Sequence, residues 1–292
     1  MNGYHCILAF CRILVFISVR NTMNNEGVFA MKDNIKELIE YGERIPHFHK
    51  EFPIILFWSH RSGCTSLANW FFFQIGLYEE AMNYAPFIHH YEYEIYKNRT
   101  NYYKDLGLEL LNLKKETIKL VRNPYKRAVS SFLILYDNPY ATKQWESIRE
   151  YFYNNKNIHK GISFKQYLYY VKDMGPKSSQ LDQHFSQQYI KGEEKVIKQN
   201  IKLENFNTII PKLEKEYGLL SSDISLLTNS NHHRAHQMIH KGNYADDDIT
   251  NPHFPSLPTY RSFYDEEALN LISEIFTDDF EAYGYKKNEI NF

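Results

Sequence analysis

Residues 53–73 read PIILFWSHRSGCTSLANWFFF. The apolar run Ile54–Trp58 predicts a buried strand, the small polar stretch Ser59–Ser66 a loop, and the aromatic-rich run Leu67–Ile75 a helix. A strand that feeds a Gly/Ser/Thr loop at a helix N-terminus forms a phosphate cradle. The first N–H groups of the helix lack intrahelical acceptors, and the positive end of its dipole faces the anion. The loop has no G-x-x-x-x-G-K-[ST], which argues against an ATP-type cradle. Its basic residue, Arg61, instead precedes the single glycine, Gly63, and hydroxyls follow at Thr65 and Ser66.

Outward from this stretch, Thr117–Val121 predicts a second buried strand. Arg122, Asn123 and Pro124 follow, then a helix to about Leu135, with Pro124 suited to the first turn. A short strand is expected at Asn200–Leu203, between helical segments Lys165–Val171 and Phe206–Tyr217. Asp33–Tyr41 reads as a helix capped by Asp33. Asp265–Ala282 reads as one amphipathic helix with Leu269, Ile272, Ile275 and Phe276 on its apolar face. Tyr78–Tyr103 is rich in Tyr and His without clear periodicity, and Ser221–Pro258 is polar and loop-rich. Strands alternating with helices predict an α/β fold: a P-loop-like, mainly parallel sheet flanked by helices on both faces. Ligands of such sheets sit at the carboxyl ends of the strands, and both Arg61 and Arg122 fall just past such ends.

With 292 residues and 43% hydrophobic content, the chain can bury a sizeable core. Residues 31–292 are read as a single domain, preceded by an N-terminal segment, 1–30. A net charge of −1 gives no global basic field, so nucleic acid is not an expected partner and any anion site must be local. Three cysteines, Cys6, Cys11 and Cys64, do not make a disulfide framework. Tyr4–Val19 is apolar but falls short of the roughly 20 residues of a membrane span, and Arg12 near its centre would be costly in hydrocarbon. Two readings of this segment stand: a type II membrane anchor, or an upstream extension with Met23 or Met31 as the true start. The expectation is a cytoplasmic enzyme, with weak membrane association through residues 4–19 as the alternative. His232, His236 and His240 recur at helical spacing, but Asn229, Asn231 and Gly242 argue for a loop, so no metal site is expected.

A second motif, VRNPYKRAVSSF, spans Val121–Phe132. The Arg122 guanidinium and the Ser130 hydroxyl would clamp a terminal phosphate. Taken together, HRSGCTS (60–66) and RNPYKRAVS (122–130) resemble the sulfotransferases that use 3′-phosphoadenosine 5′-phosphosulfate (PAPS). In that family a strand–loop–helix of the x-G-C-T or S-G-T-T kind binds the 5′-phosphosulfate, and an R-[ND]-P-x-x-R-x-x-S segment binds the 3′-phosphate. VIKQNIKLENF (196–206) is similar to the family's strand-plus-Glu element, and residues 260–285 resemble its closing helix. The likeness covers roughly residues 50–285 and looks nearest to the carbohydrate, membrane-type and bacterial branch.

The resemblance implies in-line transfer of a sulfonate from PAPS to an acceptor hydroxyl, without a metal. On this reading Ser62, Gly63, Cys64, Thr65 and Ser66 donate to the phosphosulfate, Arg61 neutralises its bridging oxygen, and Arg122 and Ser130 hold the 3′-phosphate. Arg61 stands where the cytosolic branch usually has Lys, which suits it to electrostatics rather than proton donation. His90 and His89 are the candidate general bases, with Glu92 and Glu94 as rivals, and His60 abuts the cradle. The acceptor is expected to be a small molecule or saccharide, saccharide first on the branch resemblance. The alternatives are a P-loop nucleotide kinase and a non-catalytic nucleotide-binding module.

Overall fold

Strands β1 (Ile54–Phe57), β2 (Glu116–Val121) and β3 (Gln199–Lys202) lie side by side in the order β1-β2-β3, all parallel. They belong to a computed structural model that describes residues 35, 36, 38, 39, 44–136, 138–228 and 237–287. Phe57 sits opposite Lys119, and Val121 opposite Lys202. The chain therefore leaves all three strands at one edge, which collects Ser59–Ser66, Arg122 and Leu203–Glu204. Every residue of β1 is buried, as is β2 from Thr117 onward. Elements cover both faces of the sheet, so even the polar side chains of β2, Thr117 and Lys119, are buried.

Helices α1 (Cys64–Gln74), α2 (Tyr78–Tyr84) and α3 (Ile88–Tyr91) follow β1, and α3 runs on into a π-helical turn (Glu92–Tyr96). Helix α4 (Tyr102–Asn112) leads into β2. Between β2 and β3 lie α5 (Pro124–Phe132), α6 (Thr142–Tyr153) and α7 (Phe164–Met174). After β3 come α8 (Phe206–Glu216), the short α9 (Ile224–Thr228), α10 (Glu266–Ile275) and α11 (Thr277–Tyr283). One core joins the sheet to α1 and α8 through Ile118, Leu120, Trp70, Phe71 and Ile210. A second packs α5, α7 and α10 around Phe132, Phe164, Tyr167 and Ile272. Each such fully buried side chain contributes about 1.5–3 kcal/mol of hydrophobic burial.

The α/β architecture follows the expectation, and several boundaries move for local reasons. Helix α1 begins at Cys64 rather than Leu67. Gly63 takes a left-handed conformation (φ 87°, ψ 24°) that turns the chain straight into the helix. The C-terminal segment is two helices rather than one, broken at Phe276 (φ −105°, ψ 31°). Of the expected stripe, Ile272, Ile275 and Phe276 are buried and Leu269 only partly so, while Ala268 and Leu271 join the buried face. The aperiodic stretch 78–103 is largely helical, because the π turn interrupts the 3.6-residue repeat. Helix α5 stops at Phe132 and tightens into a 3₁₀ turn through Leu135. His240 pairs in an extended bridge with Pro258 rather than sitting on a helix, and His232 and His236 lie outside the described residues. Residues 1–30, which carry the anchor and start-site readings, also lie outside them. Among the described residues no helix is long and apolar enough to cross a membrane.

The centre of the sheet is not apolar on both faces. Lys119, in the middle of β2, is 1% exposed; its Nζ meets Glu193, the Tyr283 hydroxyl at 2.9 Å and the Gln188 carbonyl at 2.7 Å. Glu193 is as deeply buried and accepts from Tyr283 Oη at 2.7 Å and Ile190 N at 3.0 Å. Burial pulls Lys119 below its ordinary pKa, against the pull of Glu193. Removing one partner of a buried, hydrogen-bonded pair leaves the other charge uncompensated. The expected loss for Lys119→Met is about 3–5 kcal/mol in urea unfolding, and Lys119→Met with Glu193→Gln should recover much of it. A single variant as stable as the wild type would show that the pair does not hold the sheet to α11.

Candidate active site

The strand-end edge opens into a cavity of about 840 Å³. Its floor is the loop after β1. Arg61 has a left-handed φ of 65°, uncommon for a non-glycine, and Gly63 follows with 87°. Glycine suits 63: at a φ of 87° a side chain is strained, and a Cβ there would stand 2.5 Å from Leu203 Cδ1 and displace it. The N-cap residue Gly63 has no side chain to cap α1, and the first turn of the helix borders the cavity. Cys64, Thr65 and Ser66 all line the cavity there. Ser62, expected among the phosphosulfate donors, points the other way. Its side chain is fully buried, its hydroxyl donates to Gln188 Oε1 at 2.6 Å and its N–H to Ser59 O at 3.2 Å.

The second motif meets the first directly. Arg61 Nε and Nη2 donate to Ser130 Oγ at 3.1 and 2.9 Å. Arg122 Nη1 donates to the Arg61 carbonyl at 2.9 Å, and its Nη2 to Tyr260 Oη at 2.6 Å. Arg61 and Ser130, which the motifs assign to opposite ends of the donor, are thus in contact. Lys126, one helical turn into α5, also lines the cavity. Burial and the neighbouring Arg122 both lower the pKa of Arg61, as expected where cations are gathered to meet an anion. Arg127, the motif's second arginine, is 1% exposed and lies beneath the site, donating through Nε to the His60 carbonyl at 2.9 Å. It holds the loop from below.

The histidines divide by environment. The Nδ1 of His89 pairs with the carboxylate of Glu92, and its Nε2 lies 3.2 Å from Thr65 Oγ1. Glu92 is fully buried; its other oxygen pairs with Lys97, and His47 Nδ1 approaches at 3.4 Å. The π turn makes this possible by bringing residue i+5 over residue i: the Lys97 N–H bonds the Glu92 carbonyl at 2.8 Å. Burial alone would neutralise Glu92, but Lys97, His47 and His89 hold it well below the usual carboxylate range. Burial would likewise lower His89, yet Glu92 and Cys64 push it up to about 10. His89 is therefore a cation at neutral pH. Its Nε2–H donates to Thr65 Oγ1, which leaves the threonine's own proton for another acceptor. Burial would raise the Cys64 thiol, but His89 and Arg61 bring it below its ordinary value. His90 sits at the rim, 56% exposed, with Nδ1 3.0 Å from Glu94 Oε1.

Several side chains that organise the site fell outside the motif readings. Gln188, fully buried, accepts from Ser62 Oγ and from Arg122 N (2.9 Å), and its Nε2 donates to the Arg122 carbonyl at 2.8 Å. Its own N–H is held by Asp279 Oδ1 at 2.9 Å. Glu204 accepts from Asn123 N and Tyr285 Oη, both at 2.9 Å, and so fixes the start of α5. His184 lines the cavity beside His60, with ring centroids 4.4 Å apart. Glu204 and Asp279 lie in stretches that the resemblance had marked. Gln188 and His184 had no periodicity or spacing to announce them.

The Glu92 clamp has a measurable consequence. Because the folded-state pKa of His89 is raised, its protonation stabilises the fold in full below the ordinary value of 6.5, and this is lost as the pH rises through about 10. Ring-nitrogen NMR should find His89 doubly protonated from pH 7 to 9 in the wild type. In Glu92→Gln its titration should fall back towards 6.5. Titration of wild-type His89 near its ordinary value would contradict the clamp.

A model of the sulfotransferase family matches residues 14–286. No curated protein and no solved structure matches the chain. The matched span contains the cradle after β1, the arginine–serine segment after β2 and the closing helices α10 and α11. On that match the chain belongs to the sulfotransferase family.

Proposed function

We propose that this sulfotransferase takes its sulfonate from PAPS and passes it to a hydroxyl group, with a saccharide as the favoured acceptor. The observation that carries this reading is the pairing of two anion-binding devices in one cavity. One is the uncapped N-terminus of α1, with Thr65 and the His89 cation beside it. The other is the cluster of Arg61, Arg122, Lys126 and Ser130. A donor with a phosphosulfate at one end and a separate 3′-phosphate at the other needs both. PAPS supplies an activated sulfonate on a phosphate leaving group.

The chain's own residues then do three things. The first-turn N–H groups of α1 and the Thr65 hydroxyl bind the phosphosulfate oxygens, where preorganised donors are most effective. His89, protonated and locked by Glu92, together with Arg61 offsets the charge that develops on the leaving phosphate. Arg122 and Ser130 orient the nucleotide through its 3′-phosphate, which fixes the line of attack. The rings of Trp58, Phe87 and Tyr93 in the cavity wall suit the apolar face of a sugar.

Titration calorimetry with adenosine 3′,5′-bisphosphate and with AMP, which lacks the 3′-phosphate, tests the assignment. A charged hydrogen bond is worth about 1.5–3 kcal/mol, so Arg122→Ala should weaken the bisphosphate by about 10- to 100-fold. AMP affinity should barely change. Equal losses for both nucleotides would remove Arg122 from the 3′-phosphate, and preference for ATP with Mg²⁺ would remove PAPS as the donor.

A further inference from the structure

The donor groups take up the cradle, α5 and the β3 edge, which leaves the wall of Trp58, Phe87, His90, Tyr93 and Glu94 to face the acceptor. This wall is mostly aromatic. Among the described residues Glu94 is its one carboxylate, since the cavity's other acid, Glu204, lies at the β3 edge with Asn123 N and Tyr285 Oη. Glu94 belongs to the same π turn as the buried Glu92 but stands at the rim, 53% exposed. Both of its oxygens are held: Oε1 lies 3.0 Å from His90 Nδ1, and Oε2 accepts from Tyr84 Oη at 2.6 Å. The contacts with Tyr84 and His90 keep its carboxyl below the ordinary pKa and ionised. A carboxylate oxygen accepts two hydrogen bonds, so each still has a place for a ligand.

A single ring separates this carboxylate's partner from the donor end. Phe87 packs on His89 at 4.8 Å between ring centroids and on His90 at 5.8 Å. A sugar laid on Phe87 therefore reaches from His89, beside the N-terminus of α1, towards the His90–Glu94 pair. Charge then decides what that sugar carries. PAPS brings about four negative charges, two on the 3′-phosphate and two on the phosphosulfate. Among the described residues Arg61, Arg122, Lys126 and the His89 cation match them one for one. With the donor in place the Glu94 carboxylate is left over, and the acceptor wall is negative. A uronate or sulfate group is repelled there and an ammonium group attracted. The faces of Phe87 and Tyr93 favour a cation in the same direction.

We propose that the acceptor is an amine-bearing saccharide, and that Glu94 selects it by holding the ammonium group at the rim while a hydroxyl of the same sugar meets the donor. The proposal rests on reading the cavity as a PAPS site with a saccharide acceptor. Glu94 acts on which acceptor binds and takes no part in holding the nucleotide.

The test is titration calorimetry on the full chain saturated with adenosine 3′,5′-bisphosphate. Three saccharides that differ only at C6 serve as probes: cellotetraose, its 6-amino-6-deoxy form and its 6-carboxylate form. An exposed ion pair is worth up to about 5-fold in affinity, so the amine form should bind about 5-fold tighter than cellotetraose and the carboxylate form more weakly. Glu94→Gln should erase the amine preference while the bisphosphate binds as in the wild type. Glu94→Lys should turn the preference towards the carboxylate form, and added salt should shrink the wild-type preference. The proposal is overturned if the loaded wild type binds the three forms alike, prefers the carboxylate form or binds none of them. It is also overturned if the amine preference survives in Glu94→Gln or fails to reverse in Glu94→Lys. A wild-type chain that does not bind the bisphosphate sinks the donor reading first; intact nucleotide binding without an amine preference sinks only the acceptor assignment.

Discussion

One buried amide holds the two halves of this site in register. Gln188 bonds the Ser62 hydroxyl with its oxygen and both the N–H and the carbonyl of Arg122 with its amide, while Asp279 fixes its backbone. The loops it joins leave different strands and have no covalent reason to keep a constant separation. A fully satisfied buried amide has little freedom to move, because any shift would strand a donor or acceptor away from water. The carbonyl of the same residue accepts from Lys119 and from Arg44. The bridge is thereby tied to the central strand beneath it. The sheet face under the cavity is accordingly a polar network rather than an apolar layer.

That arrangement carries an electrostatic cost. Arg61 and Arg122 are brought together, and the chain holds Arg61 in a left-handed conformation to do it. Strained backbone and gathered like charge are features that proteins keep at functional sites and offset elsewhere. Here the offset comes from below the loop: Arg127 on the His60 carbonyl, Gln188 on Ser62, and Leu203 packed against the face of Gly63 that has no side chain.

The sequence made both loops legible because each is a run of consecutive residues whose chemistry is local. A small-residue turn at a helix start and an arginine at a strand end can be read without knowing what lies nearby. The supports were not legible in that way. Gln188 sits in a polar segment with neither helical nor strand period, and it takes its role from Arg122 and Ser62, both more than sixty residues away. The stretch 78–103 looked aperiodic because a π turn shifts the helical phase, and that same turn sets Lys97 over Glu92. The feature that hid the segment's helicity is the one that tunes its histidine. The single C-terminal helix was a failure of a different kind. Its apolar pattern runs through Phe276 uninterrupted, and only the backbone there breaks it.

The arginine in the cradle poses a chemical question that its surroundings answer. A lysine at that position would bring a compact ammonium with a pKa near 10.4, able to follow a leaving oxygen and give it a proton. Arg61 cannot do this: its guanidinium is held by two hydrogen bonds to Ser130 and parts with a proton far less readily. His89 stands beside the same helix N-terminus, and its pKa of about 10 is much closer to that of a lysine than to that of an ordinary histidine. The carboxylate that raises it is itself buried and pinned by Lys97, so the value depends on a network and not on a single contact. The two cations are thus unlike: a fixed guanidinium at Arg61 and a proton-bearing imidazolium at His89.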